Sequence, residues 1–220
     1  MGKGIFQARA DGASQPQALL ESKVGHDPRS FTPDGKRLAY ADFGEGRAQI
    51  WTVPVEERGG LLKAGKPEQF LKSSFSDYAA AFSPDGRWLA YVSNESGNFE
   101  VYVRAFPRPS AGPGGKWQIS NSGGGPPEWS RNGHDLLYRS GDQIMAVSYT
   151  VKSDMFVAEK PRVWIAKLGT AVAGWGLAPD GKRVLVRAPA ESAEAPKPEH
   201  EVVFLENFFD YLRQRVPLGK

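Results

Sequence analysis

Three histidines and 25 carboxylates are the side chains of this sequence that could bind a metal ion or act as general acids and bases. Two short pairs stand out by position, His26 with Asp27 and Asp77 with Tyr78, because each lies just before a segment that ends in phenylalanine. Imidazole and carboxylate groups together suit divalent cations, and carboxylate groups suit calcium. These four residues are therefore candidate ligand-binding residues, and a divalent metal such as calcium is the one cofactor to consider.

No local motif assigns a reaction to these residues. The chain has no cysteine, which excludes a disulfide framework, a thiolate zinc site and a cysteine nucleophile. It also lacks the Gly-x-Ser-x-Gly, His-Glu-x-x-His and phosphate-loop patterns. We therefore assign no catalytic residue and no metal ligand. A metal-dependent reaction stays open, because ligands of such sites can be scattered along the sequence.

An internal repeat supplies the elements that must position the candidate residues. Four segments align without gaps on the pattern aromatic-Ser-Pro-Asp-Gly-basic-x-Leu-Ala-Tyr: Phe31–Tyr40, Phe82–Tyr91, Trp129–Tyr138 and Leu177–Val186. They begin at residues 31, 82, 129 and 177, so successive copies lie 51, 47 and 48 residues apart. A period of about 40 to 50 residues is typical of propellers and solenoids.

The Pro-Asp-Gly core of the repeat predicts a hairpin turn, since proline presets φ, aspartate bonds the backbone and glycine accepts positive φ. Asp34, Asp85 and Asp180 are therefore interpreted as turn-forming residues and not as calcium ligands or acid–base groups. In the third copy Arg131 replaces proline, and the remaining Asn132 and Gly133 still suit a turn.

Each period contains roughly four strand-like segments, which predicts an all-β fold: a β-propeller built from four-stranded antiparallel blades. The predicted boundaries are a partial blade at 1–22, blades at about 23–72, 73–121 and 122–168, and a partial blade at 169–206. A short helix with a tail is predicted at 207–220, where Phe208, Phe209, Leu212 and Val216 fall at helical spacing.

The candidate residues lie about five residues before the repeat aromatic, at the start of the innermost strand, which lines the channel of a propeller. There His26, Asp27, Asp77 and Tyr78 could form a polar mouth, while the next two copies place glycine, valine and alanine at these positions. Trp175 lies near the same strand between two glycines and is a fifth candidate for ligand contact. We expect Trp88 and Trp175 to be partly exposed and the other four tryptophans to pack between blades.

Composition narrows the choice of partners. The net charge is +3 with both signs interspersed, which argues against a nucleic-acid surface. No segment approaches the roughly 18 apolar residues that span a bilayer, and the first residues lack a signal-peptide core. We therefore expect no nucleic acid and no membrane contact by this chain, and sequence alone leaves the compartment unknown.

The repeat resembles the TolB-like, WD-repeat-like propeller repeats of bacteria, over nearly the whole chain. The segment 82–107, with residues 114–120, 139–142 and 208–217, is similar to the C-terminal propeller of bacterial serine/threonine kinases and related sensors. This resemblance implies an extracytoplasmic (periplasmic) propeller attached to a cytoplasmic kinase through a membrane span. The kinase signatures are absent here, so the resemblance transfers no kinase activity.

Three functional hypotheses remain open. The first is a non-enzymatic binding or sensing module, part of a larger protein, that recognises a protein or small molecule on a propeller face. The second is a channel-metal-dependent hydrolase or lactonase centred on His26, Asp27 and Asp77. The third is a structural fragment that self-associates through its incomplete end blades.

Overall fold

The computed structural model describes residues 3–12, 15–44, 46–107, 115–152, 155–168, 172 and 174–187. All elements named below lie in this part of the chain. The helix and tail predicted at 207–220 lie outside the described residues, as does most of the last predicted partial blade.

The repeated turns form as their residues dictate. In the second copy, Ser83 Oγ donates to Asp85 Oδ1 at 2.5 Å, and that same oxygen accepts the Arg87 backbone N–H at 3.1 Å. The Trp88 N–H donates to Ser83 Oγ at 3.0 Å, and Gly86 adopts a φ of 71°. Ser83 Oγ and Asp85 Oδ1 are therefore both engaged in hydrogen bonds within the turn.

The other copies repeat this arrangement. Thr32 with Asp34, and Ser130 with Asn132, make the corresponding bonds. The fourth copy has Ala178 in place of the hydroxyl residue, so Asp180 keeps only its bonds to the residues that follow it. The interpretation of the aspartates as turn-forming residues is confirmed, and Asn132 forms its turn without the proline.

Eighteen strands form five antiparallel sheets in the described residues. The first sheet contains β1 (Lys3–Gln7) and β2 (Gln17–Ser22). The second contains β3 (His26–Phe31), β4 (Arg37–Asp42), β5 (Gln49–Arg58), β6 (Leu61–Ala64) and β7 (Glu68–Gln69). The third contains β8 (Asp77–Phe82), β9 (Trp88–Ser93), β10 (Glu100–Ala105) and β11 (Lys116–Gln118). The fourth contains β12 (Pro127–Trp129), β13 (Asp135–Ser140), β14 (Gln143–Lys152), β15 (Met155–Ala158) and β16 (Arg162–Ile165), and the fifth β17 (Gly174–Leu177) and β18 (Val184–Arg187).

Each of the three central sheets contains a four-stranded blade, ordered outward from the innermost strand as β3-β4-β5-β7, β8-β9-β10-β11 and β12-β13-β14-β16. The second and fourth sheets carry one strand more, because β5 and β14 extend beyond the outer strand and pair there with β6 and β15. These additional hairpins were not predicted from the sequence. The innermost strands β3, β8 and β12 are neighbours in space.

Neighbouring sheets pack face to face through four apolar clusters. Ile5 and Val53 lie in the cluster between the first and second sheets, and Phe82 and Tyr91 in the one between the second and third. Two further clusters join the third sheet to the fourth and the fourth to the fifth. Because all six residues of β9 are buried, both faces of the third sheet are covered, as expected for a blade between two others. In the described residues, the fold is a β-propeller with three whole blades and two partial blades of two strands each.

The expectation for Trp88 was wrong. This side chain is only 2% exposed and packs edge to face on Trp117, with 5.4 Å between ring centroids, and on Phe156, with 5.3 Å. Phe156 comes from β15 of the fourth sheet, a strand that the sequence did not predict. The neighbouring sheet, and not solvent, therefore covers Trp88.

Candidate functional site

The candidate residues lie at the end of the sheets where the innermost strands begin. We call this the front end; the opposite end, with the Pro-Asp-Gly turns, is the turn end. The β4–β5 and β9–β10 loops also lie at the front end, because each follows a strand that runs back from the turn end. The residue before β8, Ser76, ties these parts together: its N–H donates to Asn94 Oδ1 at 2.9 Å and its Oγ accepts the Ala48 N–H at 3.2 Å.

His26 is held by a carboxylate of its own sheet. It opposes Asp42 across β3 and β4, and its Nε2 lies 2.8 Å from Asp42 Oδ2. The imidazole is 8% exposed and its centroid lies 4.9 Å from the Tyr40 ring. Its other nitrogen, Nδ1, is buried without a hydrogen-bond partner among the described residues. Asp42 in turn accepts the Gly44 N–H at 2.8 Å, so the pair is built into the loop.

Asp27 and Asp77 have opposite environments. The Asp27 side chain is 46% exposed and forms a 3.3 Å ion pair with Arg29, two residues along the same strand. Asp77 is 2% exposed and is hydrogen-bonded by the hydroxyls of Ser73 and Ser93. Burial raises the pKa of the Asp77 carboxyl, and the two hydroxyls act in the opposite direction.

Tyr78 and Trp175 are held by aromatic and apolar contacts. Tyr78 packs edge to face on Phe99, with 5.4 Å between ring centroids, and burial raises the pKa of its phenol. Trp175 packs on the cluster between the fourth and fifth sheets, which includes Leu137 and Ile144. Its Nε1 is buried without a hydrogen-bond partner in the described part of the chain. Trp175 therefore belongs to an apolar cluster different from the one around Tyr78.

The polar residues of the predicted mouth therefore form separate hydrogen-bonded groups within the protein. His26 bonds to Asp42, Asp77 to two serines, and Asp27 to Arg29. Within the ranges that the structure describes, no three histidine, aspartate or glutamate side chains come together in a way that could hold a metal ion. In the same ranges no helix is long and apolar enough to cross a membrane.

Sequence reasoning missed three half-exposed phenylalanines at the front end. Phe43 follows β4 and is 49% exposed, Phe75 precedes β8 and is 40% exposed, and Phe99 precedes β10 and is 44% exposed. All three lie on connecting segments, just outside the strands. The available signal was a large aromatic residue close to the end of a strand in each case.

Phe99 also lines a cavity of about 610 Å³ between the third and fourth sheets. The opposite wall is the backbone of Gly123, Gly124 and Gly125. A Cβ atom on Gly124 would lie 2.4 Å from Ser120 Oγ and 2.7 Å from a methyl group of Val101, so this position requires glycine. The front end therefore offers a concave surface with an aromatic wall.

Comparisons with known proteins agree with this architecture. No family model matches the sequence. A 6-phosphogluconolactonase candidate from Bacteroides uniformis is similar in structure, with a TM-score of 0.51 and 16% identity over 83% of this chain and 56% of that one. A TolB candidate from Agrobacterium tumefaciens matches with a TM-score of 0.49 and 15% identity, over 80% of this chain and 63% of that one.

A gluconolactonase from Xanthomonas campestris matches with a TM-score of 0.49 and 16% identity, over 84% of this chain and 62% of that one. The chain thus spans between 56% and 63% of the length of these three structures. At such low identity, similarity to the Bacteroides structure concerns the fold alone. The comparison shows that this chain has the β-propeller fold.

Proposed function

We propose that this chain is a non-enzymatic binding module that docks a protein segment with apolar side chains at its front end. The observation that carries the proposal is the exposure of Phe43, Phe75 and Phe99 on three connecting segments at this one end. Large aromatic side chains are enriched where protein surfaces meet, because they bury much area with few rotatable bonds.

The segments that bear these phenylalanines are ordered by hydrogen bonds, so docking would require little further ordering. The Phe43 N–H donates to Gly25 O at 3.0 Å, and Phe75 lies beside Ser76, whose bonds reach both neighbouring loops. Full burial of one phenylalanine contributes about 2 kcal/mol. A preorganised surface keeps most of that gain, because less conformational entropy is lost on binding.

The alternative, a channel-metal hydrolase, would need His26, Asp27 and Asp77 as ligands or bases. His26 and Asp77 are instead engaged with Asp42 and with serine hydroxyls. To bind a metal ion, His26 would have to leave Asp42, or use a nitrogen that is buried against its neighbours. These contacts favour the binding module.

We further propose that the module acts as the extracytoplasmic, periplasmic sensor part of a larger bacterial protein. The proposal rests on the similarity of the repeats to the C-terminal propellers of bacterial serine/threonine kinases. The small net charge and the interspersed charges also suit a surface that recognises a protein rather than a polyanion.

The docking proposal is tested with a displayed peptide library selected on the wild-type chain. We expect the selected peptides to be rich in apolar residues and to lose about 30-fold in affinity on Phe99→Ser or Phe43→Ser, the loss typical of a central aromatic contact. Phe6→Ser is the matched control, because Phe6 is also 44% exposed but lies on β1.

Two results would contradict the proposal. The first is a set of peptides whose affinity is the same for the wild type, Phe43→Ser and Phe99→Ser. The second is bound metal in the purified protein together with lactone hydrolysis that chelation abolishes and His26→Ala removes, which would establish the hydrolase instead.

A further inference from the structure

The innermost strands are irregular at one matching position, away from the front-end phenylalanines. The pairing of β3 with β4 shifts between Pro28 and Ser30, so that Arg29 has no cross-strand partner. The pairing of β8 with β9 shifts between Tyr78 and Ala81, and Ala79 adopts a φ of 56°. Bulges re-aim side chains, and left-handed conformations of non-glycine residues cluster at ligand sites.

These irregular strands line a cavity of about 750 Å³ that reaches the turn end. The β8 wall is formed by three consecutive alanines, Ala79 to Ala81, whose small side chains leave the space open. Phe31, 46% exposed, supplies an apolar surface. The cavity is distinct from the one beside Phe99, because the two share no lining residue.

Three charged side chains line this cavity: Arg29 on β3, Glu128 on β12 and Arg131 in the turn that follows β12. One nitrogen of the Arg29 guanidinium contacts Asp27 at 3.3 Å, and its other N–H groups can donate to a ligand. Burial raises the pKa of Glu128, and the nearby charge of Arg29 acts in the opposite direction. Among the described residues no hydrogen bond satisfies the Glu128 carboxylate.

We propose that this cavity binds a free α-amino acid, with the ligand carboxylate on Arg29 and Arg131 and its ammonium group on Glu128. A guanidinium matches a carboxylate with two parallel hydrogen bonds, and an ammonium group supplies the donors that Glu128 lacks. A simple anion would leave the Glu128 carboxylate beside a like charge. The ligand side chain would pack on Phe31, which favours apolar amino acids.

Titration calorimetry with the twenty standard L-amino acids tests the proposal, with acetate and inorganic phosphate as simple anions. We expect binding below about 1 mM for at least one apolar amino acid, weakened about tenfold or more by Arg29→Gln and by Glu128→Gln, since each removes one charge-assisted contact. Arg9→Gln is the matched control: Arg9 is exposed and pairs with Asp11 beside β1.

Circular dichroism melts establish that each variant is folded, and Arg131→Gln provides a second test because Arg131 is exposed in a turn. The proposal is overturned if no amino acid binds at 10-fold the expected concentration, or if Arg29→Gln, Glu128→Gln and Arg131→Gln bind as the wild type does. Acetate or phosphate binding as tightly as any amino acid would also overturn it, and would indicate a plain anion site. All of these outcomes are independent of peptide docking at the front end.

Discussion

The aspartates of this protein occupy two environments that move their pKa values in opposite directions. Asp34 and Asp180 lie in exposed turns, where hydrogen bonds lower the pKa of each carboxyl: from the Thr32 hydroxyl and the Lys36 N–H at Asp34, and from the Lys182 N–H and the Arg183 guanidinium at Asp180. Asp77 is buried at the front end, and loss of hydration raises the pKa of its carboxyl. Ionised Asp34 and Asp180 therefore stabilise their turns, whereas ionisation of the buried Asp77 carboxyl opposes folding.

The first prediction concerns Asp77→Asn. Because the folded-state pKa of Asp77 is raised, its contribution to the free energy of unfolding is fully present below the ordinary pKa of about 4 and is lost as pH rises through the folded-state pKa. We expect the variant to lose less stability than the wild type over this rise. Urea unfolding at a series of pH values measures the difference.

Asp34→Asn is the control for that experiment. The pKa of Asp34 is lowered, so its contribution is present above the ordinary pKa and is lost as pH falls through the folded-state value. Its removal should change the acid side of the profile in the opposite sense. An Asp77→Asn profile parallel to that of the wild type would show that burial does not govern this carboxyl.

At the scale of elements, the three whole blades differ at one matching pair of positions. The pair consists of the first residue of the strand that follows the repeated turn and the nearby residue of the outer strand of the same sheet. It is Arg37 with Glu68 in the second sheet, at 3.1 Å, and Asp135 with Arg162 in the fourth, at 3.2 Å with the charges reversed. In the third sheet both positions are tryptophan, Trp88 and Trp117. The outer strand of each blade thus carries a residue complementary in charge or shape to the residue that begins the strand after the turn.

The second prediction is a charge exchange in the fourth sheet. Asp135→Arg alone places like charges together and should cost about 1 kcal/mol, since exposed ion pairs contribute about 0.2–1 kcal/mol. Adding Arg162→Glu should recover most of the loss, although the Ser148 hydroxyl, which now donates to Asp135 at 2.8 Å, loses its acceptor. Chemical unfolding of the single and double variants gives the coupling free energy; a double variant no more stable than Asp135→Arg would refute the pairing.

Sequence reasoning succeeded where local chemistry decides the structure and failed where distant segments meet. The Pro-Asp-Gly turns follow from three adjacent residues, so their form could be predicted at all four sites. The hairpin at Gly59 and Gly60 was missed, although two adjacent glycines between strand-like segments are a recognised signal for it.

The contacts of the candidate site residues were harder to predict from the sequence. The partner of His26 is Asp42, sixteen residues away, and only the register of β3 against β4 brings them together. Arg29 reaches the cavity because of a one-residue bulge, and no residue pattern in the sequence predicts that bulge. Register and bulges depend on packing between sheets, so the sequence indicated the strand and not the direction of its side chains.

At the scale of the whole molecule, the four apolar clusters of the described residues each join two sheets that are neighbours in sequence. Stability in such arrays is approximately a sum of sheet terms and nearest-neighbour interface terms. Damage to one cluster should therefore loosen the two sheets that share it before it affects the others.

The third prediction uses Phe156→Ala. Phe156 is 2% exposed, and its ring contacts those of Trp88, Trp117, Trp129 and Tyr149. Its truncation should cost about 3–5 kcal/mol and should speed amide hydrogen exchange in the third and fourth sheets. Hydrogen-exchange mass spectrometry resolves the affected strands.

Ile5→Ala is the matched control, because Ile5 is 4% exposed and lies in the cluster of the first and second sheets. Its effect should appear in those two sheets and leave the fourth protected. Uniform loss of protection across all sheets in both variants would instead indicate a single cooperative unit.

The same aromatic cluster gives the molecule an optical signature. Trp88 and Trp117 lie 5.4 Å apart at an interplanar angle of 85°, and Trp129 approaches the same Phe156 ring from the fourth sheet at 6.0 Å. Indoles held so closely in a fixed asymmetric arrangement couple their electronic transitions and give strong near-ultraviolet circular dichroism. Such signals vanish when tertiary packing is lost, even where strands persist. Because Phe156 of the fourth sheet packs on both indoles of the third, we expect the near-ultraviolet ellipticity to fall when these two adjacent blades separate, so that their docking can be followed without an added label.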